Sequence, residues 1–193
     1  MPQIALESLL SLEAYARQRG EFRARVMAHK GRRSVRLGEH ATLVFEDELT
    51  IRYQIQEMLR IERIFEEDGI RGELEAYNPL VPDGGNWKAT MMLEYPDAEE
   101  RRARLAELKG IEDRVWVRVD GHAPVFAIAD EDLERENEEK TSSVHFLRFE
   151  LTPPMRDAIK QGAGLAVGSD HPNFRATTEV GAEIRAALAC DLS

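Results

Sequence analysis

Five polar residues stand where their types could do chemistry: Arg19, Glu62, His145, Arg148 and His171. His145 falls in the run Val144–Leu151, whose alternation puts it on the same side as Leu147, Phe149 and Leu151. A histidine on an apolar strand face reads as a buried hydrogen-bonding group, a metal ligand or an acid–base group. Arg148 alternates to the opposite side with Val144 and Phe146, where a guanidinium could hold an anion or a carboxylate across the sheet. His171 lies in Asp170-His171-Pro172-Asn173, a turn by composition, and reads as an exposed loop residue that could bind a ligand. Glu62, His145 and His171 are the best set for one divalent metal, provided they converge from their separate segments. Without that convergence the chain calls for no cofactor.

Arg19 and Glu62 draw attention through helical geometry. With Ile51 at zero, Ile55, Leu59, Met58 and Phe65 cluster within roughly 80° either side, and Glu62 falls at about 20°, in the middle of the apolar stripe. Arg19 projects in the same way from the stripe Leu12, Tyr15, Phe22 and Val26. Burying either charge alone costs several kcal/mol, so the two are expected to pair across packed helices. That pair is read first as a device of architecture. The alternative is a polar pocket in which Glu62 and His145 are the catalytic candidates and Arg19, Arg148 and His171 hold the ligand.

The elements that must position these residues can be read in outline. Helices are predicted over residues 11–30, 48–68, 71–77, 98–109, 154–161 and 179–189, with Ser11 as an N-cap and Gly31 as a stop. Strands are predicted over 35–38, 41–46, 87–95, 115–119, 123–129, 144–151 and 165–168. Few helical crossovers separate the strands. The expected fold is α+β, a mainly antiparallel sheet with helices packed on one face. Ile55, Met58, Phe65, Leu43, Phe45, Leu93, Val117, Leu147 and Phe149 are expected in its core.

Length and charge bound the rest. The 193 residues fit a single domain over 1–193 that needs no staples to bury a core. One cysteine, Cys190, excludes an intrachain disulfide and a multi-thiolate zinc cage. The start MPQIALESLLSLEAY has no signal-peptide character, and no apolar run is long enough for a bilayer, so a cytoplasmic protein without a membrane partner is expected. The net charge of −10 is unevenly spread. Residues 17–36 carry eight basic residues against Glu21, whereas residues 130–143 carry seven acids against Arg135 and Lys140. The basic segment could hold an anion, although a net acidic protein disfavours nucleic acid. The acidic segment reads as mobile and as a docking surface. Phosphate-binding glycine loops, HExxH, GxSxG and paired Glu-x-x-His motifs are all absent.

The run FEDELTIRYQIQEMLRIERI, Phe45 to Ile64, resembles the hallmark of a bacterial family, domain of unknown function 3501. TSSVHFLRFEL (141–151), VGSDHPNF (167–174), LEAYARQRGEFRARVMAHKGRR (12–33) and AYNPLVPD (76–83) are similar to further stretches of that family. The resemblance covers most of the chain and brings no assigned reaction. The resemblance implies genes that often lie beside those of rubrerythrin-like and iron–sulfur proteins. The resemblance therefore implies a redox or oxidative-stress setting, with a redox or iron–sulfur protein as partner. Three readings follow: an accessory or binding protein, a small enzyme or ligand-binding protein, and an anion-binding protein acting through residues 17–36. Each is compatible with a homo-oligomer.

Overall fold

The computed structural model describes residues 3–129 and 140–193. The chain opens with α1 (Leu12–Gly31), whose first turn is capped by Ser11 Oγ accepting from the Ala14 amide at 3.3 Å. A hairpin follows, β1 (Ser34–Leu37) and β2 (Ala41–Phe45), turning through Gly38 at φ 61°. That left-handed angle suits glycine. Helix α2 (Glu48–Glu62) starts in a capping box: Asp47 Oδ1 accepts from the Thr50 amide and Thr50 Oγ1 accepts from the Asp47 amide. Next come α3 (Glu67–Tyr77), β3 (Asn86–Leu93), α4 (Ala98–Glu107), β4 (Val115–Val119), and the two-residue strands β5 (Val125–Phe126) and β6 (Ile128–Ala129). The chain ends with β7 (Val144–Glu150), α5 (Pro153–Lys160), β8 (Leu165–His171), β9 (Phe174–Glu179) and α6 (Ala182–Ala189).

The fold is α+β, and every strand pair is antiparallel. The strands divide between two sheets rather than gathering in one. Their orders are β1-β2-β3-β7-β6 and β5-β4-β8-β9. The two sheets enclose the main core, to which β2 gives Leu43 and Phe45, β3 Trp87 and Met91, β7 Leu147 and Phe149, β4 Val117 and β8 Val167. They also meet at their margins. Phe126-Ala127-Ile128 steps the chain from β5 into β6, with the Ala127 amide donating to the Val115 carbonyl. On the other side β1 lies against β9, and Thr178 Oγ1 donates to the Arg36 carbonyl at 2.9 Å. β1 and β9 stay the edge strands of their sheets, each shielded in part by the other.

Helices α4, α5 and α6 complete this core with Leu105, Met155, Ile159 and Leu188. Helices α2 and α3 instead pack with the N-terminal segment around a second core of Ile4, Ile51, Ile55, Leu59, Leu74 and Val81. Of the nine expected core residues, Met58 is half-buried and Phe65 is 73% exposed; the other seven are buried. The reason lies at the end of α2. The helix stops at Glu62, six residues short of expectation, because Arg63 turns left-handed at φ 56°. The Ile64 amide then bonds the Leu59 carbonyl at 2.9 Å, and Ile64 rather than Phe65 folds back onto the second core. This is a Schellman closure with arginine where glycine is usual.

Two further readings are refined. The run Phe174–Glu179, for which only Glu179 is expected to be helical, is the edge strand β9, and α6 begins only at Ala182. Of the acidic segment expected to be mobile, residues 130–139 lie outside the described residues. Its end is anchored: the Thr141 amide donates to the Leu105 carbonyl and the Leu93 amide to the Ser143 carbonyl.

Candidate functional site

The strand-face reading places His145 correctly. Its ring is fully buried on the core side of β7, opposite Met91 of β3. Nε2 donates to the Ser142 carbonyl at 3.1 Å and lies 3.0 Å from Thr141 Oγ1, with Glu112 Oε2 at 3.8 Å. This ring fastens the entry of β7. Arg148 is on the outer face, beside Lys88 and Ile128 in the register, and bonds Glu150 two residues on.

His171 is not an exposed turn residue. It ends β8, is 6% exposed, and pairs with Phe174 across a two-residue hairpin turn of Pro172-Asn173. Nε2 donates to the Lys109 carbonyl at 3.0 Å and Nδ1 accepts from the Asn173 amide at 3.2 Å. Both ring nitrogens are committed, Nε2 as a donor and Nδ1 as an acceptor.

Glu62 is also displaced from its expected place. It is the exposed last residue of α2, and its charge, added to burial, pushes the Glu73 carboxyl of α3 upward. Arg19 does cross from α1 to an acid on α2, but the acid is Glu57. Arg19 Nε and Nη2 donate to the two Glu57 oxygens at 2.7 and 2.9 Å. Tyr15 donates its hydroxyl to Glu57 Oε1 at 2.7 Å, and Arg60 approaches from the next turn at 3.2 Å. The hydrogen bond from Arg19 leads in holding the Glu57 carboxyl down at about 2, against burial and with help from Tyr15 and Arg60. Burial and the same carboxylate push the Tyr15 phenol upward. With every lone pair engaged, Glu57 is a clamp between two helices rather than a base. The sequence wheel missed it because α2 buries two faces, one toward α3 and one toward α1.

The metal reading finds no support in the geometry. Among the described residues, no group of three or more His, Cys, Asp or Glu side chains could hold a metal ion. His145 and His171 border the connection between α4 and β4, at Glu112 and Lys109 respectively, whereas Glu62 sits beside α3.

A denser cluster, which sequence reasoning missed, lies where the end of α1, the start of α2 and the C-terminal residues meet. Arg33 is 2% exposed. Its Nε donates to the Phe45 carbonyl at 2.9 Å and Nη2 to the Glu46 carbonyl at 3.2 Å. Nη2 also bonds Asp191 Oδ2, and Nη1 lies 3.5 Å from Asp47 Oδ2. His29 Nε2 meets the same Asp47 oxygen at 2.5 Å. The two carboxyls diverge. Burial pushes Asp191 up, only partly countered by Arg33. Asp47 is held below its ordinary value despite burial, by Arg33, the Thr50 amide and His29. Arg33 fills the centre of the cluster, so it offers no cation seat. The basic segment 17–36 is thus partly internal: Arg19 and Arg33 face acids, and Arg32 reaches Glu183 at 3.4 Å.

Among the described residues, a concave feature of the surface carries recognition chemistry. On the outer face of the four-stranded sheet, Trp116 of β4 stands between Phe126 of β5 and Gly168 of β8. A methyl group at 168 would fall 2.1 Å from Trp116 Cζ2, so the indole lies directly over the glycine. The Arg118 guanidinium sits 5.4 Å from the indole, a cation–π distance. Beside them opens a groove of about 600 Å³ lined by Trp116, Ser169, Asp170, Arg175, Ala176 and Thr177. Phe126 remains 42% exposed next to it. Two long pairs, Arg114–Asp170 at 3.9 Å and Arg118–Glu179 at 3.8 Å, frame the face.

Fold and site together define an α+β protein of two antiparallel sheets whose buried polar residues serve largely as fasteners. Residues 3–192 match the family described as protein of unknown function (DUF3501), and the chain belongs to that family. A solved structure described as a novel protein of unknown function from Burkholderia pseudomallei K96243 is 57% identical, with a TM-score of 0.95 over 100% of both chains. No curated protein matches the chain. Among the described residues, no helix is long and apolar enough to cross a membrane.

Proposed function

We propose that the protein is a binding protein that docks a partner protein on the outer face of its four-stranded sheet, in a redox or oxidative-stress setting. One observation carries this reading. The groove brings together an indole, a half-exposed phenylalanine and guanidinium groups, the residue types that dominate protein–protein hot spots. Arg114, Arg118 and Arg175 outnumber Asp170 and Glu179 on this face, in a chain whose net charge is −10. The favoured partner therefore presents carboxylates, and the setting implied by the family makes a redox or iron–sulfur protein the class to test first.

A photo-crosslinking amino acid at position 126 tests the reading in cells, with position 99 on α4 as control. The expected result is a single cross-linked partner at 126 that carries iron or another redox group and is lost in Arg118→Glu. Cross-linking to a second copy of this chain alone, or to a partner unaffected by Arg118→Glu and Arg175→Glu, would overturn it.

A further inference from the structure

Among the described residues, five large apolar side chains are exposed: Met27, Ile61, Phe65, Phe126 and Ile128. Phe126 stands beside the Trp116 groove, and Ile128 two positions further on. Ile61 and Phe65 stand at a different place, the corner where α2 ends and α3 begins, and they are 60% and 73% exposed. The backbone holds this corner open. Arg63 takes the left-handed angle that closes α2, Ile64 folds back onto the second core, and Phe65 is left in water. A non-glycine residue in that angle costs energy, and the turn it makes does not bury the phenylalanine.

Corner and groove have opposite charge. Residues 61–73 carry five acids, Glu62, Glu66, Glu67, Asp68 and Glu73, against Arg63 and Arg71, a net −3. Arg71 is engaged by Glu67, and Glu62, Glu66 and Asp68 are exposed around Phe65. On the groove face Arg114, Arg118 and Arg175 exceed Asp170 and Glu179 by one charge. Arg114 and Arg118 reach their acids only at 3.9 and 3.8 Å, in exposed pairs that contribute little and can be exchanged for carboxylates of another molecule. Trp116 and Phe126 add aromatic surface for an incoming ring. Two corners, both acidic, would repel each other, whereas a corner brought to a groove joins opposite charges and ring to ring.

We propose that the α2–α3 corner of one copy docks in the Trp116 groove of a second copy. Phe65 lies against Trp116 and Phe126, and the acids of the corner face Arg118 and Arg175. This inference rests on the reading of the groove as a docking surface and adds its regulation: a second copy and the partner compete for the same aromatic and guanidinium groups, and the partner displaces the copy. The contact is heterologous. A pair formed in this way keeps one free corner and one free groove, so association continues into rings or open chains instead of stopping at a dimer.

Sedimentation velocity on the purified full chain tests this. The wild type should grow beyond a dimer as concentration rises, and added salt should weaken the association. Phe65→Ser removes the ring of the corner, and Arg118→Glu reverses a charge of the groove. Each should weaken self-association by about tenfold or more. Both positions are exposed, so cooperative unfolding should be unchanged in either variant. Arg175→Glu, a second change to the groove, should repeat the effect of Arg118→Glu. Mixed in equal amounts, Phe65→Ser and Arg118→Glu should form a 1:1 complex and nothing larger, through the intact groove of the first and the intact corner of the second. A wild type that stays monomeric up to about 1 mM, variants that associate as the wild type does, or a mixture that behaves as the sum of its parts would overturn the proposal. The partner cross-linked at position 126 in cells is a separate readout: its absence would sink the docking reading and leave the mixing result standing.

Discussion

Two polar junctions hold α1 to the rest of the molecule, and they are built with opposite stoichiometry. In the middle of the helix, one carboxylate, Glu57, is surrounded by Arg19, Arg60 and Tyr15. Just beyond its end, one guanidinium, Arg33, is approached by two carboxylates, Asp47 and Asp191. An excess of donors keeps an acid ionised, so Glu57 stays far below the usual carboxylate range. At the second junction burial pushes Asp191 up, and a guanidinium shared with Asp47 only partly counters it. The same residue types thus hold one carboxyl down and leave another pushed up.

The sharpest way to break this comparison is to remove the minority partner. Arg33→Met leaves two partly buried carboxylates without their cation and should cost about 3–5 kcal/mol in urea unfolding at neutral pH. A loss below about 1 kcal/mol would mean that the cluster is far more hydrated than its burial indicates. Glu57→Gln removes the acceptor of several charge-assisted bonds and should cost about 1–3 kcal/mol. The pH dependence of that loss carries more information. The folded-state value of Glu57 is depressed, so its contribution is fully present above the ordinary 4.5 and disappears as pH falls toward about 2. Wild type and Glu57→Gln should therefore converge in stability as the solution is acidified across that window. Curves that stay parallel would assign the effect to packing. The smallest effect belongs to Glu62→Gln. Only one turn and a half further along α2, this exposed carboxylate should change unfolding free energy by no more than about 0.5 kcal/mol. A larger loss would show that Glu62 has partners in solution beyond Glu73.

That last pair shows how far periodicity carries. The reading that α1 and α2 meet through an arginine and a glutamate is right, and the glutamate is wrong by five positions. A single apolar stripe was assumed for α2, but Ile51, Ile55 and Leu59 face α3 and the N-terminal segment, while Tyr53 and Glu57 face α1. A helix with two buried faces has no unique centre for a wheel. The overrun beyond Glu62 has a local cause: the stop is Arg63 in a left-handed turn, and no glycine announces it. Strand reading fared better where one face is dry. Alternation in β7 fixed the side of His145 because Leu147 and Phe149 share it. It failed at β9, whose residues Arg175 to Glu179 are polar on an edge. The Arg33 cluster had no local signature, since Arg33 and Asp191 are 158 positions apart. The Trp116 groove was equally hidden. Its floor depends on Gly168 standing opposite Trp116, a register that only pairing reveals.

The contact between β1 and β9 has a consequence for synthesis. Thr178 reaches an Arg36 carbonyl 142 positions earlier, so the wall of strands cannot close until the intervening chain has been made. Contacts this distant form slowly, because the intervening chain must first be ordered. While it emerges from the ribosome, the hairpin of β1 and β2 presents an uncovered margin until β9 is made. The helices made early around the second core can mature in that interval, since Ile4 to Val81 are all in place by then. The vulnerable period of this protein is therefore the interval between the synthesis of β1 and that of β9.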